Sequence, residues 1–128
     1  MRITALVGLV AAAFLGCSPP STAKATRNSN VITKEEIAAS RATNAYDAVS
    51  RLRPNFLHFH GQTTISGSDT GYPKVYLDRI LFGDLSSLRT LDVNGIREIR
   101  YYNGAEASNR FGLGNVSGAI EVVSDSKP

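Results

Sequence analysis

An apolar run at residues 3–16 stands at the start of this chain and ends at Cys17. The run follows Met1 and Arg2, and Thr4 is its only polar residue. It is shorter than the roughly twenty residues that a membrane-spanning helix needs, and its basic start and apolar centre are typical of a cleaved export signal. We therefore predict a signal peptide over residues 1–16. The remaining chain, roughly 110 residues, can form one small domain around a single core.

Cys17 is the one cysteine in the sequence, so no disulfide can form within the chain. Residues 14–17 read FLGC, which resembles the bacterial lipobox, in which a small residue precedes an obligatory cysteine. This resemblance implies cleavage before Cys17 and acylation with chains such as palmitate, and each buried methylene contributes about 0.8 kcal/mol to anchoring. Ser18 follows in place of the aspartate that retains lipoproteins at the inner membrane. We therefore expect a lipid anchor at the periplasmic face of the outer membrane. The alternative is an ordinary secretory peptide cut elsewhere.

Residues 17–30 form a polar segment with two prolines and no periodicity. Such a composition is typical of a flexible linker. We predict that this segment tethers the lipid to a domain that spans residues 31–128.

The start of that domain carries the signals of a helix. Thr33 and Glu36 have the spacing of a capping box, in which two side chains satisfy each other's backbone N–H groups. Apolar residues then recur at helical spacing as far as Leu52, and Pro54 disfavours helical geometry at the residue before it. We therefore predict one long helix over residues 33–52.

The rest of the domain combines strands with short connecting helices. Asp84 is placed to cap a short helix over residues 85–91, and Gly112 is placed to close a helical turn at residues 106–110. Alternation and β-branched or aromatic residues predict about four strands, at residues 55–65, 74–81, 96–102 and 119–123. The pattern predicts an α+β fold with helices on one face of a sheet.

The second half of the domain carries four motifs in succession. They are residues 73–78 (PKVYLD), 96–104 (IREIRYYNG), 107–112 (ASNRFG) and 118–124 (GAIEVVS). In that order they are similar to P-V-V-Y-V-D-G, I-E-R-I-E-V-L-R-G, A-x-x-L-Y-G and G-V-I-N-I-V-T, with Arg79 in place of the glycine of the first motif. These four segments are typical of the plug domain of TonB-dependent outer-membrane receptors, which this half of the domain therefore resembles. The resemblance covers about fifty residues well and about ninety loosely, and it implies a small plug-like α+β domain.

In that family the plug sits inside a large barrel and gates nutrient uptake. The present sequence stops at Pro128, with no segment for barrel strands after the plug-like part. We therefore expect a barrel-less plug-like domain that docks to a transport assembly. Gly104, Gly112 and Gly118 should stand at element ends where positive φ or close backbone approach is needed.

A detached plug must either solvate its polar surface or offer it to a partner. Arg97, Arg100 and Tyr102 on the predicted third strand, with Arg110 after it, form a mixed arginine and aromatic set of a kind enriched at protein interfaces. We predict that these four residues form an interaction face. The arginines could also contact an anionic partner, but the neighbouring Glu98, Glu106 and Glu121 favour a mixed, salt-bridged surface.

Other patterns give no catalytic or cofactor site, so we expect a protein that is not an enzyme. His58 and His60 would share one side of a strand, which could begin a metal site, but no further histidine completes it. Residues 112–114 (GLG) lack the strand before and the helix after that a dinucleotide loop requires. Asp78 has no accompanying nucleophile motif, and we interpret it as a turn or surface residue.

The net charge of +3 is too small to indicate a nucleic-acid partner. The second hypothesis for function is a periplasmic lipoprotein that binds a small ligand through the turn-rich loop at residues 66–72. No particular small molecule is indicated.

Overall fold

The computed structural model describes residues 28–61 and 70–126, so the predicted signal peptide, Cys17 and most of the predicted tether lie outside the described residues. The described part is an α+β fold, as predicted. It contains five strands, β1 (Val31–Thr33), β2 (Lys74–Leu77), β3 (Ile80–Gly83), β4 (Ile96–Tyr102) and β5 (Ala119–Ser124). It also contains three α-helices, α1 (Lys34–Ser40), α2 (Ala45–Leu52) and α3 (Gly104–Phe111). None of the helices in these two ranges has the length and apolar character needed to cross a bilayer.

The five strands form one sheet in the order β1-β4-β5-β2-β3. β5 pairs in parallel with β2 and antiparallel with β4, so it is hydrogen-bonded along both edges. Five of its six residues are buried, which suits the β-branched sequence AIEVV. β4 and β5 occupy the positions predicted for the last two strands, and β5 extends one residue further.

The predicted helix over residues 33–52 is interrupted, and β1 precedes it. The capping box at its start is confirmed, because Thr33 N–H donates to Glu36 Oε2 at 3.2 Å and Glu36 N–H donates to Thr33 Oγ1 at 3.4 Å. α1 then ends at Ser40, and the residue that caps it, Arg41, has a φ of 54°. Asn44 caps α2 by accepting the Asp47 N–H at 2.9 Å. A short polar side chain that bonds to nearby backbone favours a new helix start over helix continuation, and this explains the break.

The predicted strand over residues 55–65 is wrong for its described part. Pro54 opens a 3₁₀ helix, Pro54–Leu57, since its fixed φ suits a first helical turn. Phe56 is fully buried and stacks on Tyr101 with ring centroids 4.9 Å apart. Residues 58–61 belong to no strand, and residues 62–65 lie outside the described residues.

The predicted strand over residues 74–81 is a hairpin instead. β2 and β3 are joined at Asp78 and Arg79, where φ is 49° and 74°. Two successive residues with positive φ are the geometry of the commonest two-residue hairpin turn, although glycine normally occupies one of the two positions. After β3, Asp84 caps the 3₁₀ helix Leu85–Thr90 by accepting the Ser86 N–H at 3.0 Å, as predicted.

Helices lie on both faces of the sheet, which corrects the prediction of one covered face. α1, α2 and the first two 3₁₀ helices bury the main core, to which the sheet contributes Val75, Ile99 and Ile120. α3 packs on the opposite face, where Ala107 and Phe111 meet Tyr76 and the end of β4. Successive strand residues point to opposite faces, so β2, β4 and β5 supply both cores.

Candidate interaction face

Four side chains chosen from the sequence lie close together on the sheet face that carries α3. Arg100 and Arg110 line two cavities on this face, whereas Tyr102 lines one of them and Arg97 lines the other. We call Arg97, Arg100, Tyr102 and Arg110 the interaction face. The arrangement arises because α3 follows β4 directly and turns back onto the sheet.

Arg97 reaches this face through an irregularity in β4. The register with β5 shifts between Ile96 and Glu98, so Arg97 is left without a directly opposed residue. Such a bulge redirects a side chain relative to the regular alternation of a strand. It explains why adjacent residues, Arg97 and Glu98, line the same cavity.

The larger cavity is an open groove of about 530 Å³ beside α3. Arginine, tyrosine and amide side chains surround it, a composition that suits a protein contact more than an enclosed metabolite site. Its lining residues are Asn28, Asn30, Val31, Arg100, Tyr101, Tyr102, Glu106, Asn109 and Arg110.

The smaller cavity, which we call the arginine cleft, has a volume of about 250 Å³. It lies between the β2–β3 turn, the start of β4, β5 and α3. Its lining residues are Asp78, Arg79, Arg97, Glu98, Arg100, Arg110, Glu121 and Val123.

Glu121 is a buried acid at the wall of the arginine cleft. Its residue is only 2% exposed, and its Oε2 accepts the Tyr102 hydroxyl at 2.9 Å and lies 3.2 Å from Arg110 Nη2. The Arg110 guanidinium also lies 5.1 Å from the centre of the Tyr102 ring. A buried carboxylate needs such partners, because burial without them is strongly unfavourable. Glu121 therefore holds Tyr102 and Arg110 in fixed positions.

Glu121 was not predicted from the sequence as a member of this site. The available signal was a single acidic residue inside AIEVV, a segment predicted to be a strand and shown to be central. An acid in such a place requires a cationic partner from another element, and this reasoning would have led to Arg110.

Arg100 is held by a second carboxylate. Its Nη2 donates to Glu98 Oε1 at 2.7 Å, and its Nε is buried with no hydrogen-bond partner in the described part of the chain. Burial lowers the pKa of Arg100, but hydrogen bonds with Glu98 and Tyr102 outweigh burial, and the net direction is upward. Burial and the bond to Glu121 raise the pKa of Tyr102, although Arg100 opposes the rise. Arg100 is thus charged, and Tyr102 is a neutral hydroxyl donor, at physiological pH.

The other residues that the sequence offered as possible sites do not form a catalytic or metal site in the described part of the chain. His60 Nε2 lies 3.2 Å from the Tyr101 hydroxyl, and neither His60 nor His58 belongs to a strand. Among the described residues, no group of three or more histidine, cysteine, aspartate or glutamate side chains is arranged to hold a metal ion. Asp78 accepts both the N–H and the hydroxyl of Ser124, at 3.0 Å and 2.6 Å, and so ties the hairpin turn to β5. Residues 112–114 follow α3 and do not open a helix.

The loop predicted for a small ligand is described only in part, since residues 66–69 lie outside the described residues. Thr70 and Tyr72 line a cavity of about 300 Å³ together with Asp84, Leu85 and Ser86.

The fold and this face define a small α+β domain with a cluster of arginine and tyrosine side chains on one side of its sheet. Comparison with family models, with curated proteins and with solved structures finds no match to this chain. The resemblance to the plug domain therefore stays a prediction from the sequence.

Proposed function

We propose that this protein is a lipid-anchored interaction module at the periplasmic face of the outer membrane. Its interaction face, formed by Arg97, Arg100, Tyr102 and Arg110, would contact a protein partner. The observation that carries the proposal is the convergence of these four side chains from β4 and α3 on one open sheet face. The plug-like sequence supports a TonB-dependent transport assembly as the partner, and the FLGC motif at Cys17 supports the anchor.

The geometry favours binding because the side chains are already held in place. Glu121 positions Tyr102 and Arg110, and Glu98 positions Arg100. An immobilised side chain loses less conformational entropy on binding, so more of its contact energy appears as affinity. Arginine and tyrosine are also among the residues that most often dominate the binding energy of interfaces.

The proposal is tested by crosslinking in native membranes. We expect Arg100→Ala combined with Tyr102→Ala to weaken a protein–protein crosslink, with circular dichroism as the check on folding. Because the Tyr102 ring packs against Phe111, a companion variant combines Arg100→Ala with Tyr102→Phe, which keeps this ring and removes only the hydroxyl that bonds to Glu121.

A matched control is available on the other side of the sheet. The Arg89 guanidinium lies 3.9 Å from the centre of the Tyr46 ring, so Arg89→Ala with Tyr46→Phe alters a similar pair away from the interaction face. This control should leave the crosslink unchanged. A folded interaction-face variant with wild-type crosslinking would remove this face from consideration. A wild-type protein that crosslinks to nothing would favour the small-ligand hypothesis instead.

A further inference from the structure

We propose that the arginine cleft is a binding site for a phosphate group. Four of its eight lining residues are arginines, contributed by the β2–β3 turn, β4 and α3. The site goes beyond the proposed protein contact, because Arg79 is not part of the interaction face.

The three acidic residues of the cleft are already engaged within the protein. Glu121 interacts with Tyr102 and Arg110, and Glu98 accepts from Arg100. Asp78 has both carboxylate oxygens bonded to Ser124. These bonds hold the walls of the cleft in place, and each acid has at least one carboxylate oxygen bonded to a protein donor.

Two arginines of the cleft stay outside its ion pairs. In the described part of the chain, the ion pairs of the cleft join Arg100 to Glu98 and Arg110 to Glu121. Arg79 and Arg97 are both exposed. The four arginines and three acids that line the cleft leave it with a net charge of +1. The cleft therefore offers two available guanidinium groups beside two fixed ones.

Arg79 occupies a backbone position that suits glycine better. Its φ of 74° lies in the left-handed region, and it forms the second residue of the β2–β3 turn. A side chain at such a position strains the backbone, and strained residues concentrate at binding sites, where their side chains are needed. The strained arginine places a guanidinium at the edge of a cleft that already holds three more.

These features fit a phosphate group better than other small anions. Guanidinium groups bind phosphate through paired N–H···O bonds, and a tetrahedral oxyanion can accept from several arginines at once. A cleft of about 250 Å³ is large enough for a phosphate group and small for a whole metabolite. The phosphate could be a free ion or the head group of a lipid.

Titration calorimetry of the full chain in a non-phosphate detergent tests the site, with inorganic phosphate as the probe. We expect saturable binding, with a Kd on the order of 1 mM or tighter. Arg79→Gly should weaken it at least about tenfold, because a charge-assisted hydrogen bond is lost. Arg97→Gln should act in the same direction.

Arg41→Gly is the matched control. Arg41 is also an exposed arginine with positive φ, and it stands at the end of α1, outside the cleft. Both glycine variants remove one positive charge and relieve backbone strain. They differ in that only Arg79→Gly removes a guanidinium group from the cleft. We expect Arg41→Gly to bind phosphate within about twofold of the wild type. Absence of saturable binding by the wild type, or equal weakening by the two glycine variants, would overturn the proposal.

Soluble short-chain lipids distinguish the sources of the phosphate. A lipid head group would be supported if dihexanoyl phosphatidic acid binds much more tightly than inorganic phosphate and if Arg79→Gly weakens the binding of both by the same factor. Equal affinity would support the free ion. Equal binding of dihexanoyl phosphatidylcholine and phosphatidic acid, insensitive to Arg79→Gly, would show that acyl chains are recognised and would contradict the site.

Discussion

Arg41 and Arg79 are exposed residues with positive φ, 54° and 74°. A side chain in this region costs roughly 1–2 kcal/mol relative to ordinary backbone geometry, whereas glycine adopts it freely. Arg41 caps the end of α1, and Arg79 is the second residue of the β2–β3 turn. The sequence alone gives no sign of this strain, because arginine is common in helices and at surfaces.

We predict that Arg79→Gly stabilises the domain by about 0.5–1 kcal/mol, since relief of the strained φ exceeds the greater flexibility of glycine in the unfolded chain. Urea unfolding measures the change. Arg79→Ala serves as the control, because it removes the same guanidinium and keeps the strain. A gain in stability of equal size in both variants would instead assign the effect to charge.

β4 carries most of the interaction face, and two tyrosines near its end respond to pH. Burial, followed by the charge of Glu106, raises the pKa of Tyr101. Burial and the bond to Glu121 likewise raise the pKa of Tyr102, with Arg100 acting against them. Both side chains therefore keep their protons in the folded state at a pH where the unfolded chain releases them.

This difference predicts the direction of the alkaline response. The contribution of the two tyrosines to stability is complete below pH about 10, their unfolded value, and falls as the pH rises from there through the raised folded values. Tyr101→Phe with Tyr102→Phe should flatten this fall. Urea unfolding of the wild type and the double variant at several alkaline pH values measures it. Parallel curves for the two proteins would contradict the prediction.

The position of α3 depends on a close approach of backbone at its first residue. A Cβ added at Gly104 would overlap the carbonyl group of Val116, in the loop that returns from α3 to β5. Asn103 and Glu106 form a capping box at the same helix end, with bonds of 3.0 Å and 3.2 Å. The contact and the capping box therefore fix the first residue of α3, and this places Arg110 beside Glu121.

We predict that Gly104→Ala destabilises the domain by about 1–3 kcal/mol through this overlap. Gly95→Ala is the control, because an added Cβ at Gly95 has no heavy atom within 4 Å, and it should change stability by less than about 0.5 kcal/mol. Thermal unfolding of both variants measures the difference. Similar losses in the two would show that glycine content alone, and not the contact with Val116, sets the effect.

For the whole protein, the proposed anchor is testable at Cys17. We predict that Cys17→Ser moves the protein from the membrane fraction to the soluble periplasm or leaves it unprocessed, since lipid can no longer be attached. Fractionation with labelled palmitate measures this. A wild-type protein without acyl label would remove the lipoprotein interpretation and leave the fold and the arginine cleft unaffected.

The predictions from the sequence were correct where they depended on interactions between residues close together in the chain. β4, β5 and the caps at Thr33 and Asp84 were predicted correctly, because alternation and capping depend on residues a few positions apart. The positive φ expected at Gly112 is also confirmed, at 91°. The one-turn helix predicted at residues 106–110 is longer, since the cap at Asn103 was missed.

Two of the errors involve contacts between distant parts of the chain, and a third involves a turn with unusual residues. β1 is only three residues long and exists because it pairs with β4, a partner that no local pattern reveals. Residues 54–57 form a 3₁₀ helix that packs on the core, because Phe56 stacks on Tyr101 of β4. The hairpin in residues 74–83 was missed because its turn uses Asp78 and Arg79, without the glycine that usually marks it.

By itself, the sequence determined the α+β class and the positions of β4 and β5, because periodicity and residue type are local properties. Residue type also singled out Arg97, Arg100, Tyr102 and Arg110 as a candidate interaction face. Tertiary structure alone decided that α3 covers the second sheet face and that those four residues meet there. It also decided that Glu121 lies buried beneath them and that Arg79 completes the cleft. The physical reason is that a buried charge and a strained turn are stable only in the presence of partners from other elements, and those partners meet only when the chain folds.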